Sequence, residues 1–127
     1  MRGSTQDMPV AFDGGDVVIR QADWGEMTAS LETFPAGLDT APIFRGLPED
    51  RCQCPHWGYV IRGQVRVRYK DREEVYTAGD AYYMPPGHTT FFDETTEILE
   101  FSPRGAYQET MEVAARNVAA MAGGDQG

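Results

Sequence analysis

The sequence predicts an all-β fold, a small antiparallel β-barrel or double-sheet sandwich followed by one C-terminal helix. Short segments rich in Val, Ile, Tyr and Phe recur at close spacing along most of the 127 residues, and 14 Gly and 8 Pro interrupt them. Helical spacing of apolar residues occurs only in residues 105–121. A chain of this length predicts one domain, which we assign to residues 16–122, helix included, after a flexible N-terminal segment at 1–15.

The first two predicted strands are residues 16–22 and 26–36, and Met27, Ala29, Leu31 and Thr33 alternate along the second. Residues 37–50 are predicted to be a loop, because they contain two Gly and two Pro and no hydrophobic period.

The break at Gly63 and Gln64 predicts a hairpin between strands at 54–62 and 65–69. In the second of these, Val65, Val67 and Tyr69 share a face and two Arg residues occupy the other, so one face is expected to meet solvent. Further strands are predicted at 74–78, 81–84, 89–93 and 96–103.

The composition excludes several functions. The formal net charge of −9 argues against a nucleic-acid partner and against an anionic membrane surface, since both need basic patches. No apolar run approaches the ~18 residues that a membrane span requires. The start of the chain does not have the pattern of a secretory signal, so we expect a cytoplasmic protein with reduced thiols.

The segment RCQCPHWGYVIRG, residues 51–63, contains both cysteines and one of the two histidines. On a strand, Cys52, Cys54 and His56 would share one face, and the second histidine, His88, follows a Pro-Pro-Gly corner. Thiolates and imidazoles are the ligands that zinc prefers. Because a regular strand separates Cys52 from His56 by roughly 13 Å, the chain must bend between them, and Pro55 is the expected point.

The two segments together resemble the paired motifs of the cupin superfamily. Gly79-DAYYM-Pro85-Pro-Gly87-His88 matches the second cupin motif, and Gly63 matches the glycine that ends the first. Over roughly residues 40–103 the resemblance implies a double-stranded jelly roll whose interior holds a metal or a small ligand. It also implies a homodimer, since small cupins often form one.

The match departs from the usual three-His-one-Glu site that the superfamily implies. His56 stands at the position of the Glu, Cys52 and Asp50 stand near the two histidines of the first motif, and Thr90 stands where the second motif has its His. Replacing imidazole and carboxylate ligands with thiolate shifts the preference of the site from the hard metals iron and manganese toward zinc or copper. We therefore predict zinc, with iron, copper and nickel as alternatives.

The predicted metal ligands are therefore Cys52, Cys54, His56 and His88, with Cys54 either a fourth ligand or a neighbour of the site. Glu100, in the last strand, is the candidate catalytic acid or base if it faces inward. Asp50 either supplies an oxygen ligand or, as the pattern favours, ends a polar loop, and the aromatic residues Trp57, Tyr59, Tyr82 and Tyr83 either line a pocket or pack structurally. A Cys52–Cys54 disulfide is disfavoured by strand geometry.

Three functions remain open from the sequence. The first is a zinc enzyme acting as a Lewis acid on a small molecule inside the barrel. The second is a non-catalytic cupin that binds or senses a metal or small ligand. The third is a metal-free site in which Cys52 or Cys54 has a lowered pKa and acts as a nucleophile.

Overall fold

The computed structural model of the protein describes residues 1–124. It contains nine β-strands, two short 3₁₀ segments at Ala41–Phe44 and Pro48–Asp50, and one helix. The strands are β1 (Val10–Asp13), β2 (Val18–Trp24), β3 (Met27–Phe34), β4 (His56–Arg62), β5 (Gln64–Arg68), β6 (Glu73–Thr77), β7 (Ala81–Met84), β8 (Thr89–Phe91) and β9 (Thr96–Pro103), and the helix is α1 (Arg104–Gly124).

The strands form two antiparallel sheets. One has six strands in the order β1-β2-β3-β9-β4-β7, and the other has three in the order β6-β5-β8. The last strand, β9, is inserted between β3 and β4 and is hydrogen-bonded to both. The prediction of an all-β, antiparallel jelly roll with one C-terminal helix is therefore confirmed.

The apolar core lies between the two sheets. Its buried members come from both of them and include Val60, Tyr82 and Ile98 from the larger sheet and Val65 and Val67 from the smaller. The predicted alternation of β5 is confirmed, because Val65 and Val67 are fully buried while the intervening Arg66 reaches the surface. This core holds the two sheets together at one end of the barrel.

The predicted hairpin around Gly63 is wrong. β4 pairs with β7 and β9, whereas β5 pairs with β6 and β8, so the chain passes from one sheet to the other at Gly63. Gly63 adopts φ +86°, and a Cβ there would lie 2.4 Å from the carbonyl oxygen of Thr95. The glycine therefore marks a sheet-to-sheet corner, which has the same sequence signal as a tight hairpin.

Two further segments differ from the sequence predictions. The N-terminal segment, predicted to be flexible, contains β1, which pairs with β2, and its Met8 is buried. The loop at 37–50 contains the two 3₁₀ segments, and Asn117 of α1 donates hydrogen bonds to the carbonyl oxygens of Ile43 and Arg45 at 2.7 and 2.8 Å. The helix is thus attached to this loop, at the end of the barrel where the cysteines lie.

Among residues 1–124, no helix is long and apolar enough to cross a membrane.

We expect Gly63→Ala to destabilise the protein by about 3–4 kcal/mol. The left-handed conformation costs an L-residue about 1–2 kcal/mol, and the collision with Thr95 adds an overpacking cost. Gly79→Ala is the matched control: Gly79 has φ +94° but open space around a Cβ, so only about 1–2 kcal/mol is expected. Urea unfolding of both variants measures the difference, and equal losses would contradict the corner assignment.

Candidate metal centre and the polar barrel interior

Backbone pairing brings Cys52 and His88 together although 35 residues separate them. The two form an isolated antiparallel bridge, in which the Cys52 amide donates to the His88 carbonyl at 2.8 Å and the Gly87 amide donates to the Cys52 carbonyl at 2.8 Å. Gly87 has φ +93°, so the Pro-Pro-Gly corner can turn the chain and present His88 to the interior. The bridge fixes one thiol and one imidazole side by side.

The expected bend between Cys52 and His56 is present. Residues 53–55 belong to no strand, and β4 begins at His56. The irregular segment shortens the path enough to place the Cys52 Sγ 3.7 Å from the His56 Nε2. One ligand atom from each of Cys52, His56 and His88 lies within 4.8 Å of the other two, and all three side chains are buried.

These distances fit a metal ion. Zinc–sulfur and zinc–nitrogen bonds of ~2.3 and ~2.0 Å at a tetrahedral angle place the two ligand atoms about 3.5 Å apart. The 3.7 Å between the Cys52 and His56 ligand atoms matches this spacing without rearrangement. The three residues present one sulfur and two nitrogen donors, a set that suits zinc.

Both imidazole rings are held by their Nδ1 atoms. His88 Nδ1 lies 2.7 Å from the carbonyl oxygen of Pro85, which can only accept, so this nitrogen carries the proton. His56 Nδ1 lies 2.7 Å from the hydroxyl oxygen of Ser102 and 3.7 Å from the Glu100 carboxylate. The Nε2 of His88 is therefore left with a free lone pair, and that of His56 points at Cys52, the arrangement found where histidine binds a metal.

Burial sets the protonation of these groups in the metal-free protein. It lowers the pKa of His56 and of His88 to about 4, so both rings are neutral at pH 7 and able to coordinate. Burial also raises the pKa of Cys52 to about 12, so its sulfur is a thiol until a cation displaces the proton.

The other predicted ligands lie elsewhere. Cys54 is fully buried, but it is not among the three converging ligands, and its Sγ lies 3.4 Å from the Pro55 carbonyl beside Tyr107. Asp50 is exposed and accepts a hydrogen bond from the Gly46 amide. Thr90, at the position of the family histidine, bonds to Thr40 and anchors the 37–50 loop.

Polar side chains continue from the metal centre across the inner face of the larger sheet. Strand register, together with the side-chain hydrogen bond between His56 and Ser102, aligns two rows that each cross five strands. The first row contains His56 and Ser102, and the second contains Glu100 and Tyr82. In full, the rows read Asp23-Thr28-Ser102-His56-Met84 and Gln21-Ser30-Glu100-Gly58-Tyr82. This end of the barrel interior is polar, in contrast to the apolar core.

Glu100 faces inward and is 4% exposed. Its Oε2 accepts a hydrogen bond from the Tyr82 hydroxyl at 2.6 Å. Tyr82 reaches it across Gly58, where a Cβ would lie 2.5 Å from the phenol oxygen. Gly58 is therefore required because only a residue without a Cβ lets the Tyr82 side chain reach Glu100. The sequence did not indicate this role, since Gly58 lies within an ordinary strand.

Glu32 is a second buried carboxyl group, which the sequence analysis did not single out. It lies on β3, is 6% exposed, and its Oε2 accepts from the Ser30 hydroxyl at 2.8 Å. Burial raises the pKa of both Glu32 and Glu100, and the nearby Glu100 charge raises that of Glu32 further. The residues on β3 whose side chains are most buried are thus Thr28, Ser30 and Glu32 together with Ala29, rather than the alternating set of Met27, Leu31 and Thr33.

Aromatic residues close and flank this interior. Tyr107, from α1, is buried with its ring 6.4 Å from that of His56, and its hydroxyl accepts a hydrogen bond from Gln21. Trp57, Tyr59 and Tyr83 point to the outside of the larger sheet and are 44–50% exposed. Of the four aromatic residues considered from the sequence, Tyr82 therefore belongs to the interior and the other three to the outer surface.

The buried carboxyl groups predict a stability that depends on pH. The pKa of Glu32 is about 8 in the folded protein against an ordinary value of 4.5, so its contribution is fully present below pH 4.5 and is lost as the pH rises through 8. The contributions of His56 and His88, whose pKa values are lowered, are complete above pH 6.5.

Between pH 6.5 and 8 we therefore expect the free energy of unfolding of the metal-free protein to fall by about 1–2 kcal/mol per pH unit. Glu32→Gln should reduce this slope, and Glu97→Gln, on the outer face, should not. Urea unfolding in the presence of a chelator measures it, and a slope of zero in the native protein would contradict the burial of the carboxyl pair.

Comparison with known proteins supports the same architecture. Residues 55–98 match the model of the AraC-like ligand-binding domain family. No curated protein matches the chain.

Solved structures with similar folds include an RmlC-like cupin from Shewanella frigidimarina, 18% identical, with a TM-score of 0.57 over 80% of this chain and 88% of that one. The polyketide cyclase RemF from Streptomyces resistomycificus is 17% identical, with a TM-score of 0.59 over 81% and 78%. KdgF from Halomonas sp. is 20% identical, with a TM-score of 0.55 over 79% and 92%. With its two antiparallel sheets, its C-terminal helix and these structural neighbours, the chain has the cupin fold.

Proposed function

We propose that this cupin binds a divalent metal ion, zinc by preference, and acts on a small molecule inside the barrel. The observation that carries the proposal is the convergence of Cys52, His56 and His88 within 4.8 Å, with the Nδ1 atoms of both rings already engaged. A set of one sulfur and two nitrogens favours zinc over the harder iron, while copper and nickel are the nearest competitors.

The number of ligands favours a reactive centre over a structural one. Structural zinc sites are closed by four protein ligands, whereas catalytic sites keep one position open. Cys54 lies outside the cluster, which leaves three protein ligands. A metal held there would supply Lewis-acid chemistry to a bound molecule.

Glu100 is the residue we propose as acid or base. It is buried, and its Oε1 lies 3.7 Å from the Nδ1 of a proposed ligand, His56. The Tyr82 hydroxyl fixes the other carboxylate oxygen. A carboxyl group whose pKa is raised by burial into the neutral range can both give and take a proton near pH 7.

A non-catalytic ligand-binding role is the second candidate. The match to a ligand-binding domain family supports it, since that domain is described by binding rather than by a reaction. The third alternative, a metal-free nucleophilic thiol, is disfavoured, because burial raises the pKa of Cys52 and Cys54 to about 12. The cytoplasmic location and the homodimer remain predictions.

The outer face of the larger sheet is the surface we propose for a homodimer. Trp57, Tyr59, Ile61 and Tyr83 expose 41–50% of their surface there, next to the partly buried Leu99. Exposed apolar patches of this kind mark interaction sites. A two-fold contact would place the same uncharged patch on both copies of a chain that otherwise carries a net charge of −9.

Metal binding is tested by zinc titration of the chelator-treated protein in a calorimeter. We expect one zinc per chain, and we expect Cys52→Ser or His88→Ala to weaken binding by at least about 100-fold, because each removes a ligand from a three-ligand site. Cys54→Ser is the matched control and should leave the affinity within about threefold. Equal losses in Cys52→Ser and Cys54→Ser would show that both sulfurs bind, and unchanged binding in both would contradict the site.

The dimer is tested by sedimentation of the native protein and of Trp57→Glu. We expect the native chain to sediment as a dimer and the variant as a monomer, since a buried unpaired carboxylate is costly. Val75→Glu, a comparably exposed apolar residue on the smaller sheet, is the control and should leave the dimer intact. A monomeric native protein would contradict the assignment.

A further inference from the structure

We propose that the barrel interior accepts neutral or cationic small molecules that donate hydrogen bonds, that it disfavours anions, and that Glu32 is the residue that sets this preference. The inference rests on the proposed metal function and adds to it the chemical class of the ligand.

The first support is the position of Glu32. Ser30 on β3 lies directly opposite Glu100 on β9, and Glu32 is two residues further along the same face of β3. Glu32 and Glu100 are therefore diagonal neighbours whose side chains enter the same space. Tyr107 reaches into this space from α1 and meets Gln21, which lies opposite Ser30. Glu32 thus borders the polar end of the interior: Ile98 of the apolar core lies directly opposite it on β9, and the Ser30–Glu100 pair lies between it and the metal centre.

The second support is that no buried basic side chain balances the two buried carboxyl groups. Glu32 and Glu100 are the buried charged side chains, and within residues 1–121, whose side chains are described, no Lys or Arg is buried. An interior built for a carboxylate or phosphate needs a basic side chain or an array of amide donors pointing into it. This interior offers carboxyl groups instead, which call for hydrogen-bond donors.

The third support is unused hydrogen-bonding capacity. Each carboxyl group can accept about four hydrogen bonds, whereas Glu32 receives one from Ser30 and Glu100 one from Tyr82. On the other side of the metal centre, the Tyr69 ring packs edge-on at 6.3 Å from that of His88. A ligand rich in hydroxyl or amino groups would satisfy such a lining.

The fourth support is the sum of formal charges. A divalent metal, the Cys52 thiolate and two ionised carboxyl groups add up to a net −1, and one proton shared between the carboxyl groups brings the sum to zero. As long as at least one of the two carboxyl groups is ionised, there is no excess positive charge to attract an anion. Removing the Glu32 charge from the fully ionised state brings the sum to zero, which weakens the repulsion of an anionic ligand.

The test uses the protein loaded with Co²⁺, whose visible absorption reports ligands entering the metal's open position. Two probes are titrated at pH 9: imidazole, which is neutral and keeps an N–H donor, and thiocyanate, which is anionic and has none. We expect Glu32→Gln to tighten thiocyanate binding about tenfold relative to imidazole. Glu97→Gln, which removes the same charge from the partly exposed outer face, should leave the ratio unchanged.

An unchanged ratio in Glu32→Gln would overturn the inference, and so would a spectrum that neither probe alters in a protein that retains its cobalt. Should Glu32→Gln fail to fold, Glu32→Met removes the charge with a side chain of similar length that needs no hydrogen bond. A native protein that takes up no cobalt contradicts the proposed metal function instead, a different readout from the ligand titration, and the inference falls with it.

Discussion

The candidate site depends on the backbone bridge between Cys52 and His88. It joins the irregular segment before β4 to the corner before β8 through amide–carbonyl hydrogen bonds between two buried residues. A buried backbone amide left unpaired costs about as much as a lost hydrogen bond, so the two segments are held in one register. That register places the sulfur and the two imidazoles within bonding reach of one ion.

The interior around this bridge has an apolar half and a polar half. The apolar half, built on Val60, Val65 and Ile98, provides the hydrophobic burial that makes the barrel stable. The polar half tolerates buried carboxyl groups because each has a hydroxyl donor, Ser30 for Glu32 and Tyr82 for Glu100. Because the polar groups are concentrated at one end, the fold can bury these carboxyl groups while the apolar core at the other end keeps it stable.

Much of the fold and part of the site were predictable from the sequence. Period-2 alternation in segments such as β5 identifies strands directly. The short segment that contains both cysteines and His56 marked the site, but spacing by two residues did not separate Cys52 from Cys54, which lies outside the cluster. The hairpin at Gly63 was mispredicted because a glycine signals a turn without indicating which sheet the next strand joins. The sequence could not show that Glu100 faces inward. Its neighbours Leu99 and Phe101 are more apolar than Glu100 and Ser102, so the alternation suggests that Leu99 and Phe101 face the interior, whereas in the structure they face outward. Glu32 escaped notice for the same reason: polar residues on a strand are ordinarily assigned to solvent, and here they line the interior.

X-ray absorption spectroscopy of the zinc-loaded protein measures the coordination shell most directly. We expect one sulfur at about 2.3 Å and two imidazole nitrogens at about 2.0 Å, with the remaining position filled by a light atom. A shell with two sulfurs would place Cys54 in the site and make it a closed, structural centre. A shell of oxygens alone would contradict the convergence of Cys52, His56 and His88 on the metal.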